Sequence, residues 1–434
     1  MRNPAKLSPP EARQRRFLRL LPLLLTAVLV IKLASFFTWS DQVAVTRAVK
    51  LVSRVAMTGT IYGVYRLILS RGAVDSFSWR NSLAPLLYGG YLLLGVVSLL
   101  WSTAPGYSLL QLAMDVESLV FAFYFIKCFL LVETFFPASS LRLYSVVGNA
   151  SFLLVALFVG GMVVAPEVFN RLTHGGAEAR LGGYLMNPNE LGMLCVLCLS
   201  CLAFDLYRHH RPALTVAQML PVLLALVLTG SRSSLVGFGL IALFHLARSG
   251  STRLKLGAAG AALLALPLVG PLFVKQGGLE EVLSLTGRLP FWQALLTEGL
   301  PKEPLLGYGF MRIAHGDFFQ SAHTYAAQMT HNTFIQVLLN LGLVGFALVL
   351  AQLAFTLRGF ASYPTREGRL LLVGLLIPIL INSFTEFGIF GQSNFGILFY
   401  QLLIFLISLR YNPRLSTPEQ LFLRRTRPEL VLAG

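Results

Sequence analysis

The sequence predicts an all-α polytopic membrane protein of about twelve transmembrane helices, and three observations carry that prediction. Of 434 residues, 55% are hydrophobic and only 12% are charged, too apolar for a water-soluble globule. Apolar runs long enough to cross the hydrocarbon core, about 20 residues each, recur along the chain. The basic residues that give the net charge of +16 collect between alternate runs rather than in a patch.

The runs lie near residues 17–37, 52–69, 83–101, 109–132, 144–166, 190–206, 214–229, 233–248, 255–274, 331–357, 369–386 and 394–410. The first follows a basic start, Arg13, Arg15 and Arg16. Its apolar core is too long for a signal peptide and no small-x-small cleavage site follows, so an uncleaved first helix is expected. With the N-terminus cytoplasmic and each run crossing once, Arg208, Arg211, Arg248, Arg253, Lys255, Arg358, Arg366 and Arg369 fall on the cytoplasmic side. A short basic cytoplasmic tail, 411–434, adds Arg414, Arg424, Arg425 and Arg427. This is the positive-inside bias of a membrane protein. It accounts for the charge without a nucleic-acid partner.

One integral membrane domain, 1–434, is expected, with no soluble domain. Two long loops leave the membrane on the opposite, periplasmic side: 167–189, and a large loop, 275–330, between spans nine and ten. A loop of that length in so compact a protein is usually functional. It holds an amphipathic run around Phe291–Leu296, expected to form a short helix. Basic residues on this side oppose the topological rule and need another reason: Arg47, Lys50, Arg171, Arg180, Arg232, Lys275, Arg288, Lys302 and Arg312.

Arg47, Lys50 and Arg54 share one helical face; a snorkelling helix entrance is the simpler account, a basic wall for an anion the sharper one. Cys195, Cys198 and Cys201 recur every three residues inside an apolar run without a fourth ligand, which fits helix packing better than a cluster. Asp115, Glu117 and Lys127 are expected to form buried pairs.

The chemistry-bearing residues gather around the large loop. His331, at the start of span ten, is followed by Asn332 and then by Gly342 and Gly345. An imidazole can take a proton from a sugar hydroxyl, and the two glycines are expected to let its helix pack closely on a neighbour. Arg232, among Ser231, Ser233 and Ser234, sits in a connection too short to leave membrane depth. An arginine there is costly unless paired, and its planar fork suits phosphate oxygens; a salt bridge or hairpin cap is the structural reading. Arg288 is a second guanidinium on the same side, and two such groups can offset the charge of a departing diphosphate without a metal. Arg180, Asn332, Glu386 and Tyr308 are secondary candidates, Glu386 to orient His331 or balance an arginine. Asn187 or Asn189 is expected to cap span six.

Taken together, Arg180–Tyr184, Asn187–Gly192, Ser231–Ser234, Gly287-Arg288, Gly307–Gly309 and His331-Asn332 with the Gly-x-x-Gly beyond it resemble the O-antigen ligase and polysaccharide polymerase superfamily of bacterial inner-membrane proteins. The resemblance covers most of the second half. It implies a bundle of about twelve spans with a periplasmic loop over a lateral opening. It also implies metal-independent, inverting transfer of a glycan from an undecaprenyl-diphosphate-linked oligosaccharide, with no cofactor. In this reading His331 activates the acceptor hydroxyl while Arg232 and Arg288 hold the diphosphate. The acceptor is either a further lipid-linked repeat unit, as in exopolysaccharide and O-antigen polymerases, or lipid A core, as in ligases. The Trp101–Leu109 segment favours the polymerases, and the short tail speaks against protein-directed members. Implied partners are membrane lipids and the flippase, chain-length regulator and export proteins of such a pathway. A twelve-span transporter or lipid-glycan flippase is the alternative from another class, and a non-catalytic assembly subunit a third.

Overall fold

The computed structural model describes residues 9–70, 75–135, 142–173, 178–208, 212–253, 255–260, 288–310, 330–386 and 388–411, with positions 263 and 267. Most of the expected ninth span (255–274) and of the large loop lies outside the described residues. So do Lys275, Arg312, His315, Asp317, His323 and the tail from 412 onward.

Among the described residues, helices form over the apolar runs. They are α1 (Pro9–Ala34), α2 (Val43–Ser70), α3 (Leu83–Val97), α4 (Pro105–Phe135), α5 (Leu143–Val164), the single turn α6 (Pro166–Phe169), α7 (Pro188–Arg208), α8 (Pro212–Leu228) and α9 (Arg232–Arg248). Beyond the large loop's start come α10 (Arg288–Ala294), α11 (Thr333–Ala361), α12 (Arg366–Thr385) and α13 (Phe395–Ser408). Among the described residues, strands are confined to two short antiparallel pairs, β1 (Phe77–Trp79) with β4 (Leu409–Tyr411) and β2 (Asn170–Thr173) with β3 (Glu178–Leu181).

Among the described residues, five helical segments are long and apolar enough to cross a membrane: Leu83–Leu100, Leu143–Val164, Pro188–Leu206, Thr333–Ala361 and Gly368–Thr385. Leu20–Ala34, Pro212–Leu228 and Phe395–Ser408 are shorter apolar helices. The protein is an all-α membrane protein. α13 is buried along its whole length, the signature of a helix that is apolar all round and enclosed by others.

α2 and α4 miss that set because they carry charge, and the charge is paired inside the bundle. Glu117 of α4 meets Lys32 of α1 and Thr58 of α2, and Arg54 donates to its other oxygen at 3.0 Å. Arg54 is therefore a buried ion-pair member rather than a snorkelling residue, while Arg47 on the same face is exposed. Removing one partner of such a pair leaves an uncompensated charge in low dielectric, so these contacts fix how α1, α2 and α4 assemble. Lys127 pairs with Asp75 at 2.8 Å, and Gln401 of α13 donates to the backbone oxygen of Asp115 at 3.3 Å. The three thiols of α7 are buried, and Cys198 Sγ–H donates to the Gly148 carbonyl of α5 at 3.5 Å, a helix-packing role.

The expectation for Gly342 and Gly345 needs correction. Gly342 has φ +61°, a left-handed conformation that interrupts α11 rather than a smooth surface for a neighbouring helix. Into that break docks the segment 304–309. Leu343 N and Val344 N donate to the carbonyls of Pro304 (2.8 Å) and Leu305 (3.2 Å), and Tyr308 N and Gly309 N donate to Leu339 (3.0 Å) and Asn340 (2.8 Å). The backbone groups freed by the kink are thus satisfied by the loop, as a buried chain requires. A Cβ on Gly342 would overlap the Leu305 carbonyl as well as strain the backbone. Gly342→Ala is accordingly expected to destabilise the protein by at least about 1–3 kcal/mol, read as a lowered melting temperature in detergent; an unchanged melt would show that the loop is not docked there.

Candidate functional site

The end of α12 and the start of α11 lie side by side, and the two segments are stitched together at one end of the bundle. Asn332 caps α11, its Oδ1 accepting from Phe334 N (2.9 Å) and Ile335 N (3.1 Å). Its Nδ2 donates to Phe384 O of α12 at 3.3 Å. Thr333 Oγ1 donates to the carbonyls of Glu386 (3.3 Å) and Phe390 (3.2 Å), holding the turn after α12 against α11.

His331 precedes this cap with φ 50°, the one positive value at a non-glycine residue among those described. Left-handed backbone at such a residue is uncommon and persists only where its surroundings impose it. Thr330 supplies much of that constraint: its Oγ1 donates to Asn332 O at 2.8 Å and its N donates to Gln336 Oε1 at 3.0 Å. Trp292 Nε1 of α10 donates to Thr330 O at 2.7 Å, so the large loop's helix also bears on this turn.

The constraint aims the imidazole at Glu386. His331 Nδ1 lies 2.7 Å from Glu386 Oε2. With the carboxylate accepting from Nδ1–H, the neutral ring keeps its lone pair on Nε2. The other oxygen, Oε1, accepts from Asn189 Nδ2 at 2.9 Å and from Arg288 Nη2 at 3.4 Å, and Arg288 Nη1 donates to Thr385 O at 2.6 Å. Burial alone would push the Glu386 carboxyl up. The hydrogen bond from His331 and its charge when protonated, then the charge of Arg288 and the Asn189 hydrogen bond, outweigh it and hold the group below the usual carboxylate range. Side-chain exposure is 7% for Glu386, 16% for Arg288 and 24% for His331. The carboxylate is thus the hidden organiser, and the imidazole is the most exposed of the three groups.

Asn189 extends the network to the other long loop. Asn187 Oδ1 accepts from Asn189 N at 2.9 Å at the start of α7, leaving the Asn189 side chain for Glu386. Its Oδ1 accepts from Arg180 Nη2 at 2.8 Å, and Arg180 Nε donates to Thr229 O at 2.7 Å. Arg180 is presented by β3, in register with Arg171 of β2. Thr229 opens the turn that leads into α9, where Ser231 is the N-cap and Arg232 the first helical residue. Ser234 Oγ in turn donates to Asn189 O at 3.4 Å. Arg232 is therefore carried by a turn that Arg180 and Asn189 both grip, at the same end of the bundle.

His331, Asn332, Arg288, Glu386 and Arg180 are joined directly or through Asn189, and Arg232 sits on the adjoining turn. Tyr308 is placed differently. Its ring packs with Phe291, Leu295 and Leu339, and its hydroxyl donates to Gly299 O at 2.7 Å, which serves the docking of residues 288–310. Asn189, Thr330, Thr333 and Trp292 were not singled out as site residues by the sequence. Asn189 looks like any capping asparagine there, and the indole carried no polar signal.

One guanidinium, Arg288, and an imidazole share the Glu386 carboxylate, with Arg180 joined to it through Asn189 and Arg232 on the adjoining turn, a constellation suited to anionic chemistry beside apolar helices. Residues 217–350 match the O-antigen ligase family. The O-antigen ligase match contains Arg232, Arg288, Tyr308, His331 and Asn332, while Arg180, Asn189 and Glu386 reach the site from outside the matched residues. The resemblance to the O-antigen ligase and polymerase superfamily therefore holds over the segment that carries His331, Arg232 and Arg288. No curated protein matches the chain.

Proposed function

We propose that the protein is an inner-membrane glycosyltransferase of surface polysaccharide biosynthesis that transfers a glycan from a polyprenyl diphosphate to a hydroxyl group. The observation that carries this reading is the His331–Glu386 contact at 2.7 Å with Arg288 on the same carboxylate, inside or beside the O-antigen ligase segment. His331 Nε2 takes the proton of the acceptor hydroxyl as its oxygen bonds to the anomeric carbon. The anomeric C–O bond breaks on the opposite face and its electron pair leaves with the diphosphate, so the configuration inverts. Glu386 stabilises the imidazolium that forms. Two N–H groups of Arg288 are engaged by Thr385 and Glu386; the rest, with Arg232, offset the charge on the leaving diphosphate.

Twelve spans, a periplasmic site and cytoplasmic termini complete the proposal, as does an undecaprenyl-diphosphate donor used without metal or cofactor. The finer reading is a polymerase whose acceptor is another lipid-linked repeat unit. The second reading is a ligase whose acceptor is lipid A core, and the family match is compatible with either. Reconstituted protein given an undecaprenyl-diphosphate glycan separates the two. A ladder of lengths marks the polymerase, a single addition to lipid A core marks the ligase, and inertness toward both acceptors sinks the transferase reading.

Arg288→Lys is expected to slow transfer by about tenfold or more, because an ammonium reproduces neither the fork to Thr385 and Glu386 nor bidentate phosphate contact. Initial rates at saturating donor check this, and wild-type rates would remove Arg288 from the mechanism.

A further inference from the structure

The end of the bundle opposite His331 holds a feature that glycan transfer does not use. α12 runs its 20 residues from Arg366 to Thr385, about 30 Å at 1.5 Å per residue, and α9 likewise separates Arg248 from Arg232. At the Arg366 and Arg248 ends lies a cavity of ≈ 830 Å³. Among the described residues, Arg80, Arg142, Arg248 and Arg366 line it against one carboxylate, Glu133.

We infer that this cavity is a binding site for a phosphate-bearing anion, with a phospholipid of the membrane as the occupant that its shape favours. The positive-inside bias explains why arginines lie at this end; it does not explain why four from separate parts of the chain converge on one hollow. Arg80 comes from the residues after β1, Arg142 from the N-cap of α5, Arg248 from the end of α9 and Arg366 from the start of α12. Two of them are held by stacking, Arg80 over Tyr363 at 5.1 Å and Arg248 over Phe244 at 5.0 Å. Stacking uses the face of a guanidinium and leaves its N–H edge for oxygen acceptors. The N-terminal ends of α5 and α12 border the same space and add their positive dipole ends to the arginines.

The cavity is not polar throughout. Phe129, Leu143, Phe204 and Leu406 form an apolar part continuous with the bundle core. Leu143 and Gly368 also begin two of the spans long enough to cross the membrane, which sets the cavity at the depth where hydrocarbon meets headgroup. Arginine N–H groups beside an apolar floor at that depth match a phosphate on an acyl-chain stem better than a free ion. A volume of ≈ 830 Å³ also lies within the range of small-ligand sites, about 300–1,000 Å³.

The test uses full-length protein, delipidated in detergent, and titrates phosphatidylglycerol, phosphatidylcholine and inorganic pyrophosphate while native mass spectrometry counts bound molecules. Phosphatidylglycerol is expected to bind at least tenfold more tightly than phosphatidylcholine. The Arg142→Gln/Arg366→Gln double variant, both positions being exposed, is expected to lose that preference without a change in melting temperature. Arg358→Gln, an exposed arginine at the same end that does not line the cavity, is expected to keep it. If pyrophosphate binds instead, with the same dependence on Arg142 and Arg366, the site stands and its ligand is a soluble phosphate anion. Equal binding of phosphatidylglycerol to wild type and double variant overturns the inference, as does an equal loss in Arg358→Gln, which would mean surface charge alone.

Discussion

His331→Ala is expected to lower glycan transfer by about 10²–10⁴-fold, the usual contribution of a positioned general base. Protein yield and membrane insertion should stay close to wild type. The imidazole is the most exposed member of the His331–Glu386–Arg288 set and holds no helix together. Its backbone is another matter, because φ is 50° there and alanine adopts that conformation poorly. His331→Asn is therefore the sharper variant. Asparagine tolerates left-handed backbone and keeps a polar group facing Glu386, yet it has no nitrogen able to take a proton. Both substitutions should fall to a similar residual rate, sustained by donor binding and the arginines. If His331→Asn turned over at near wild-type speed with an intact melting curve, the proton would be going elsewhere and the base assignment would fail.

Why His331 and Arg288 were legible in the sequence, and their organiser only dimly so, has a physical answer. A histidine at the head of an apolar helix and an arginine on the side that disfavours basic residues each violate a local expectation. Such violations show without any knowledge of contacts. Glu386 was visible as a buried acid, and orienting His331 was among the roles considered for it. Its partners, however, lie 55, 98 and 197 residues away in the chain, and nothing local encodes that pairing. Asn189 shows the same limit, since a helix-start asparagine gives one signal whether it caps its own helix or reaches across the bundle.

The fold divides in the same way. Helix positions follow from the apolar runs, but α2 and α4 carry charges that lower their hydropathy, and only the structure shows that Lys32 and Arg54 both pair with Glu117 inside. The Gly342-x-x-Gly345 spacing reads as a helix-packing motif because most such spacings are; its left-handed kink is dictated by the loop that docks into it.

Glu386→Gln is expected to cost about as much activity as loss of the base itself, on the order of 10²–10⁴-fold, although it is nearly isosteric. The carboxylate accepts on both oxygens: from His331 on Oε2, and from Asn189 and Arg288 on Oε1. An amide can accept on one side only. With its oxygen toward His331, its NH₂ faces the N–H groups of Asn189 and Arg288, and donors oppose donors in a buried space. Turned round, its NH₂ donates to His331 Nδ1, which forces the ring proton onto Nε2 and abolishes the lone pair that takes the substrate proton. Either orientation disables the site by a different route. Glu386→Ala should further destabilise the protein by about 3–5 kcal/mol, the cost of leaving buried charge without its counterpart. The pH dependence has a definite sign. Because the folded-state carboxyl is held below its usual range, its stabilisation is fully present above the unfolded-state value and is lost as pH falls through the lower folded-state value. Wild type and Glu386→Gln should therefore differ most in melting temperature near neutrality and converge in acid below the ordinary carboxylate range. Parallel curves across that range would mean that Glu386 is not the ionised hub joining His331, Arg288 and Asn189, and the tautomer argument would lose its footing with it.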